Sequence, residues 1–415
     1  MKADMMDIRK NSSGGKGRKL PDRKLGRILP FCVAVLAAVF LFPGEIYASE
    51  ADPFSYGRVE QETGEPDTSL MEELDFSEIQ QTVDEILGGD FQFETAVLDL
   101  ITGKQPFTLE SFLEALIHQA GNNWETEKRI LLSILVLGIA ASLFSNFTSI
   151  FQNQQIAEVS FEITYMLLFL ILLQVFSGAM ELAASVIGSL RQFMSALIPA
   201  YCLAVTMASG TTTAVVFYQF LLGLIYVLEW LIQEGLLGLI QVHVILVFIN
   251  HLTKEEYLSQ LTELAGKAAG WVLKTILAVV IGFNTLQGII SPVIDSLKST
   301  AFSRVAEMIP GIGNVAGSVT DVLLGSAVLI KNGIGAAALI VILLLCMTPL
   351  VKLGILVILL ELAAALIQPV SDKRMAGCVA GVGDGIKLLF RAVFTVAVLF
   401  VITIVVVTVS VRGSI

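Results

Sequence analysis

The chain has 415 residues, of which 55% are hydrophobic and only 15% are charged, and its formal net charge is −11. Soluble domains carry about 25% charged residues. The composition therefore excludes an ordinary soluble protein, because so much apolar surface requires a bilayer around part of the chain. The charge is also unevenly spread, and its distribution divides the chain into three regions.

The first region, residues 1–48, has the pattern of a secretory signal peptide. Residues 1–27 contain nine Lys and Arg, and the apolar run "ILPFCVAVLAAVFLF" follows them. Ile46 and Ala48 occupy the −3 and −1 positions of a signal-peptidase site. The alternative is an uncleaved anchor. Both interpretations place the next segment outside the cytoplasm.

The second region, residues 49–128, is strongly acidic. It holds 19 acidic and 3 basic residues between Glu50 and Lys128. A linker-like stretch comes first, and the spacing of apolar residues then predicts two short helices, over 70–87 and over 108–119. The apolar stripe of the first consists of Met71, Leu74, Ile79, Val83, Ile86 and Leu87. Such helices have a thin core, so we expect them to pack on each other, on the membrane domain or on a partner. Their acidic face is either simply solvated or a docking surface for a basic partner.

The third region, residues 129–415, predicts an all-α polytopic membrane domain. Candidate spans cover 130–150, 161–182, 213–232, 235–250, 271–290, 315–330, 333–350, 352–368 and 388–410. Several are shorter than the roughly 20 residues that cross hydrocarbon, so we expect six to eight transmembrane or re-entrant helices. Lys and Arg residues surround a polar loop at 371–387, and the positive-inside rule places that loop in the cytoplasm.

An internal repeat is predicted between residues 160–255 and 270–370. The segments 184–200 and 292–311 each follow a long apolar span, and each ends in Ile-Pro. Apolar residues of both segments fall on one helical stripe, which predicts an interfacial amphipathic helix after each span. Pro199 and Pro310 would then end these helices, because proline removes a backbone donor and displaces the preceding turn.

Several polar or helix-breaking residues inside the apolar half are candidates for structural breaks or a polar path. A charge at mid-bilayer costs at least about 2.5–3.5 kcal/mol, so such residues often mark function. The alternative is that they snorkel to the interface or pair structurally. Among the charges, Glu361 is the most central, and Asp321 and Lys331 flank a short apolar run. The candidates are Pro199, Pro310, Gly311, Gly313, Asp321, Lys331, Asn332, Lys352 and Glu361.

Patterns typical of enzymes and of cofactor binding are missing from the sequence. The Gly-rich stretches at 303–317 and 380–385 lack the preceding β-strand and the following Lys-Ser/Thr that a phosphate loop requires. The histidines have no metal-ligand spacing, and no catalytic constellation occurs. We therefore expect no catalytic activity, no cofactor, no metal and no nucleic-acid partner.

The layout of the chain resembles the stage III sporulation protein AE family of endospore-forming bacteria. The resemblance covers about residues 130–410. It is carried by "LKTILAVVIGFNTLQG" (273–288), by "IPGIGNVAGSVTDVLLGSAVLIKNGIGAAALIVI" (309–342) and by "MTPLVKLG" (347–354). Segments 151–168 and 193–210 also resemble this family.

The resemblance implies a subunit of a channel or secretion-like complex that links mother cell and forespore and is needed for forespore development. It implies a location in the mother-cell membrane around the forespore. The implied partners are other membrane proteins of the complex, including ring-forming subunits and a secretion-type ATPase, together with membrane lipid. The main alternative is a secondary transporter built from two repeats, with substrate held at helices broken near Pro199 and Pro310.

Overall fold

All residues that the structure describes lie in one compact unit, Gly64–Ile415. The structure is a computed structural model. It describes 74–87, 91–102, 154–209, 230–252, 257–306, 313–369 and 371–410, with short helical pieces within 128–140 and 223–228. Side chains at 154–157, 160, 209, 283–324 and 409–410 lie outside the description. These residues are helical with short connections, and they contain no strand.

Seven α-helices organise this part of the chain. Two are short and acidic, α1 and α2, and five are long and apolar. Their bounds are α1 Ser77–Leu87, α2 Phe93–Ile101, α3 Gln154–Ser209, α4 Leu237–Leu252, α5 Ser259–Ala306, α6 Gly313–Ile367 and α7 Lys373–Ser410. A π-helical turn at Leu231–Leu236 leads directly into α4.

The acidic helices form a small hairpin whose start and link are fixed by side chains. The Asp75 carboxylate accepts hydrogen bonds from the Ser77 hydroxyl and backbone N–H, and these bonds lower the pKa of Asp75 below its usual range. With this cap, α1 begins at Ser77. The apolar stripe had predicted a helix that begins earlier, at residue 70. The Gln80 side chain accepts from the Phe93 backbone N–H at 2.7 Å and donates to the Phe91 carbonyl at 2.9 Å, so it holds α2 against α1.

Helix α7 is the central element of the bundle. It runs parallel to α3, because Tyr165 contacts Cys378 at one end of the pair and Tyr201 contacts Thr408 at the other. It runs antiparallel to α6, where Gly383 faces Leu360 and Gly354 faces Phe390. Helix α5 packs on α4, and the His243 Nδ1–H donates to the Thr262 carbonyl at 2.9 Å. The bundle core thus lies between α3, α4, α6 and α7.

Glycines one turn apart bring α4 against α7. Gly377, Gly381 and Gly385 lie on one face of α7, and a Cβ at Gly381 or Gly385 would overlap the side chains of Val247 and Val244 on α4. Small residues at this spacing let two helix backbones approach closely, which is how helices associate inside membranes.

Five helices in the described residues are long and apolar enough to cross a membrane: Phe161–Ala208, Tyr226–Leu252, Ser259–Gly282, Gly325–Ile367 and Lys373–Thr408. The predicted spans at 315–330, 333–350 and 352–368 are one continuous helix, α6, with Pro349 inside it. At roughly 1.5 Å per residue, α3 and α6 are each about 80 Å long, more than twice the hydrocarbon thickness. The count of six to eight crossings stays a prediction.

Two local predictions are wrong. The helix does not end at Pro199, because α3 continues through it to Ser209, and the buried stripe around it packs against protein instead of lying on a membrane surface. The segment predicted as a polar loop at 371–387 is helical from Lys373 onward, and three of its glycines pack against α4. The apolar stripe itself is confirmed, since Ile187, Leu190 and Leu197 are fully buried.

Other predictions fall on residues that the structure does not describe. These are the signal peptide at 1–48, the linker-like stretch, the helix over 108–119, and Pro310 with Gly311. In the second repeat copy, the helix continues through 292–306 without a break after the apolar span, as in the first copy. The repeat itself stays a prediction.

Candidate functional site

The acidic hairpin is docked on the bundle through an apolar contact. Phe93 is fully buried, and its ring meets Phe76 at 5.9 Å and Phe193 of α3 at 6.4 Å between centroids. Val97 and Ile101 of α2 lie directly over Gly333 of α6, where a side chain would push them away. The hairpin therefore continues the core of the membrane bundle.

A polar groove of about 410 Å³ lies beside this contact, between α1 and α3. Its charged lining consists of Glu78 and Glu85 on α1 and Arg191 on α3, and the Gln192 amide donates to the Glu85 carboxylate at 3.0 Å. The groove is polar and open, so it suits water and hydrogen-bonding groups of a partner.

Lys331 occupies a buried polar site where α3, α6 and α7 meet. Only 1% of it is exposed, and its ammonium donates to the Thr408 backbone carbonyl at 2.8 Å. The Tyr201 and Thr408 hydroxyls share a hydrogen bond of 2.6 Å, and Gly335 leaves them room. Because a helix C-terminus carries partial negative charge, the ammonium stabilises the end of α7. Lys331 thus links α6 to the end of α7.

A second charged site links α6 and α7. The Lys387 ammonium forms ion pairs with Glu361 of α6 and, at 2.9 Å, with Asp384 of α7. The side chains are 20%, 37% and 63% exposed for Lys387, Glu361 and Asp384, respectively. This cluster differs from the Lys331 site because it opens to the surface of the bundle.

The structure does not bring the sequence-predicted residues together in one place. Lys331 and Glu361 lie about 45 Å apart along α6, at roughly 1.5 Å per residue. Asn332 and Lys352 are half-buried, and Pro199 is exposed inside α3. Gly313 is the first residue of α6, and Asp321 lies within that helix with its side chain outside the description. The candidates therefore divide between the Lys331 site and the Glu361 cluster.

Sequence reasoning missed three features of these sites. Helix α2 has apolar residues at helical spacing, Phe93, Ala96, Val97, Leu100 and Ile101, and this signal was available. The Gly-x-x-x-Gly spacing on α7 was also legible, but 380–385 was considered only as a nucleotide loop. Asp384 and Lys387 were assigned to a loop, so their pairing with Glu361 was not predicted.

The described residues include no cluster of three or more His, Cys, Asp or Glu side chains that could hold a metal ion. The thiols of Cys202, Cys346 and Cys378 are all free. The described polar residues thus support helix pairing and water contact.

Comparisons with known proteins agree on one family. The family model of stage III sporulation protein AE matches residues 91–411, from the start of α2 to the end of α7. The stage III sporulation protein AE of Bacillus subtilis (strain 168) is 24% identical over 313 residues, which cover 75% of this chain and 78% of that protein. No solved structure matches the chain.

Proposed function

Because the chain belongs to the stage III sporulation protein AE family, we propose that it is a non-enzymatic, multi-pass membrane subunit of a sporulation channel or secretion-like complex. The complex would link the mother cell to the forespore and be needed for forespore development. The match over residues 91–411 carries this proposal, because it includes α2 and every long apolar helix of the bundle.

The proposed location is the mother-cell membrane around the forespore, with six to eight crossings. The basic N-terminal segment and the apolar run after it would export the acidic region into the space between the two membranes. There the hairpin would present Glu78, Asp84, Glu85 and Glu94, which are all exposed. Proposed partners are the ring-forming subunits and the secretion-type ATPase of the same complex, besides membrane lipid.

The experiment that tests this function isolates the tagged chain from sporulating cells in mild detergent. We expect co-isolation with the other membrane proteins of the complex, and we expect forespore development to stop when the gene is deleted. Recovery of the chain without any of these proteins, together with normal forespores in the deletion strain, would refute the proposed function.

A matched pair of variants tests the role of the acidic face. Removing residues 50–128 would also remove the buried Phe93, so point changes are cleaner. The double change Glu78→Gln and Glu94→Gln keeps both helices and neutralises exposed charge, whereas Thr95→Ala is an uncharged control on α2. We expect several-fold weaker co-isolation for the double variant alone. Equal recovery of both variants would place the partner contact elsewhere.

A secondary transporter is the second candidate, and one observation favours it. The Glu361–Lys387–Asp384 cluster is a charged group inside apolar spans, as transporter sites are. The unbroken helix at Pro199 removes one of the two broken helices on which that idea depended. Solute flux by the purified chain alone in liposomes, abolished by Lys387→Met, would favour the transporter over the complex subunit.

A further inference from the structure

Helix α7 carries a polar stripe along half of its length. At about 100° per residue, Lys373, Ala380, Asp384, Lys387 and Arg391 fall within a narrow sector of one face. Lys387 is half-buried in its ion pairs, and the other members of the stripe are exposed. Exposed charge on the surface of a membrane bundle is costly if lipid covers it, so this face requires an explanation.

The neighbouring helix α6 extends the same face. Glu361 reaches across to Lys387, and Ala365 and Gln368, which lie on the Glu361 side of α6, are exposed. The α6–α7 face is defined here as Glu361, Ala365 and Gln368 of α6 with the polar stripe of α7. These residues are small or polar, with charges of both signs, and the exposed Ile358 of α6 borders them one turn before Glu361.

At the same level of the bundle, other helices expose large apolar side chains. Tyr165 contacts Cys378, so the exposed Met166 and Leu170 of α3 lie level with the start of the stripe. Val244 packs on Gly385, so the exposed Ile245 of α4 lies level with Asp384. One side of the bundle therefore suits lipid at the height where the α6–α7 face suits water.

We propose that the α6–α7 face lines a water-filled path through the membrane. The inference rests on the proposed function, in which the chain is one subunit of a channel. Lipid would leave the charge of Arg391 and the exposed part of the paired Asp384 carboxylate without solvation, whereas water solvates both and leaves the Lys387 pairs intact. Because the lining carries both signs, the path accepts hydrated solutes without strong selection by charge.

Cysteine labelling at matched positions tests this inference in membranes of sporulating cells. In a background with the native cysteines replaced by alanine, Ala380→Cys is compared with Met166→Cys, and Asp384→Cys with Ile245→Cys. The probe is a charged, membrane-impermeant maleimide, added to inverted and to right-side-out vesicles. All four positions are exposed, so the substitutions leave the core packing unchanged.

We expect the α7 positions to react at least about 60-fold faster than their partners on α3 and α4. This ratio is the insertion cost of roughly 2.5 kcal/mol for a charge, here the reactive thiolate, at about 1.4 kcal/mol per tenfold. Equal labelling rates within both pairs of variants would overturn the inference, because the α6–α7 face would then be no more accessible to water than the apolar surfaces of α3 and α4. Unreactive α7 cysteines that form a disulfide with a second copy would also overturn it, since the face would be an interface.

The outcomes separate this inference from the proposed function. Equal labelling in a chain that still co-isolates with its complex refutes only the water-filled path. Fast labelling of Ala380→Cys in a chain that isolates without partners supports the path and refutes the complex.

Discussion

Replacing Phe93 with alanine should undock the acidic hairpin while leaving the membrane bundle folded. Phe93 joins the two parts because its fully buried ring lies between Phe76 of the hairpin and Phe193 of α3. Near it, Val97 and Ile101 cover Gly333. Among the described residues, Phe93–Phe193 is the aromatic contact that joins the hairpin to the bundle. The substitution therefore removes a large part of the contact between the two.

The expected magnitude follows from the size of the lost side chain. Phe→Ala changes in a packed core cost about 3–5 kcal/mol, which includes the cavity left behind. At about 1.4 kcal/mol per tenfold, the equilibrium between docked and undocked hairpin shifts by a factor of roughly 140 to 3700. Amide protons of α1 and α2 that exchange through undocking should therefore exchange faster by that factor.

Hydrogen exchange of the purified chain in lipid nanodiscs, read by mass spectrometry, measures this shift. Peptides covering 77–101 should lose protection in Phe93→Ala, and peptides of α6 and α7 should not. Thr95→Ala, an exposed change on the same helix, should stay within about 0.5 kcal/mol of the unmodified chain. Unchanged exchange at 77–101 would refute the docking, and faster exchange throughout α3, α6 and α7 would show that the bundle depends on the hairpin for its own fold.

Two further substitutions test the contacts of α7. Gly381→Val should force α4 away from α7, because the new side chain overlaps Val247. Such overpacking costs about 1–3 kcal/mol. Amide hydrogen exchange should therefore rise in the α4 peptide 237–252. Lys331→Met should loosen the last turn of α7, because the hydrogen bond from the ammonium to the Thr408 carbonyl is lost. A hydrogen bond to a charged group is worth about 1.5–3 kcal/mol. Amide protons at 405–410 should therefore exchange about tenfold faster or more.

Each of these changes has a control on its own helix. Ala380→Val places the same valine side chain at an exposed site beside Gly381, so equal effects of the two variants would show that the glycine contact does not hold α4. Lys352→Met removes a half-buried ammonium elsewhere on α6. If it loosened residues 405–410 as much as Lys331→Met, the local role of Lys331 would be wrong.

Apolar periodicity predicted much of the local structure, because a helix with one buried face has apolar residues at every third or fourth position of the sequence. The stripe through Ile187, Leu190 and Leu197 is buried as predicted, and Ile79 and Val83 face the core. The failures concern boundaries. Proline was taken as the end of a helix at Pro199, and charged residues as a loop at 371–387. Pro199 instead lies inside α3, and residues from Lys373 onward lie inside α7, where Glu361 of α6 pairs the charge of Lys387.

The amino-acid sequence alone determined that this protein is helical, apolar enough to span a membrane and related to a sporulation family, because composition, periodicity and local motifs do not depend on distant contacts. Only the tertiary structure decided which charges meet. Lys331 ends beneath the last turn of α7, whereas Glu361 pairs with Lys387 at an open face. The physical reason is that two charges can pair only when their helices, which are far apart in the chain, are aligned in the bundle. The glycines of α7, which let its neighbours approach closely, contribute to that alignment.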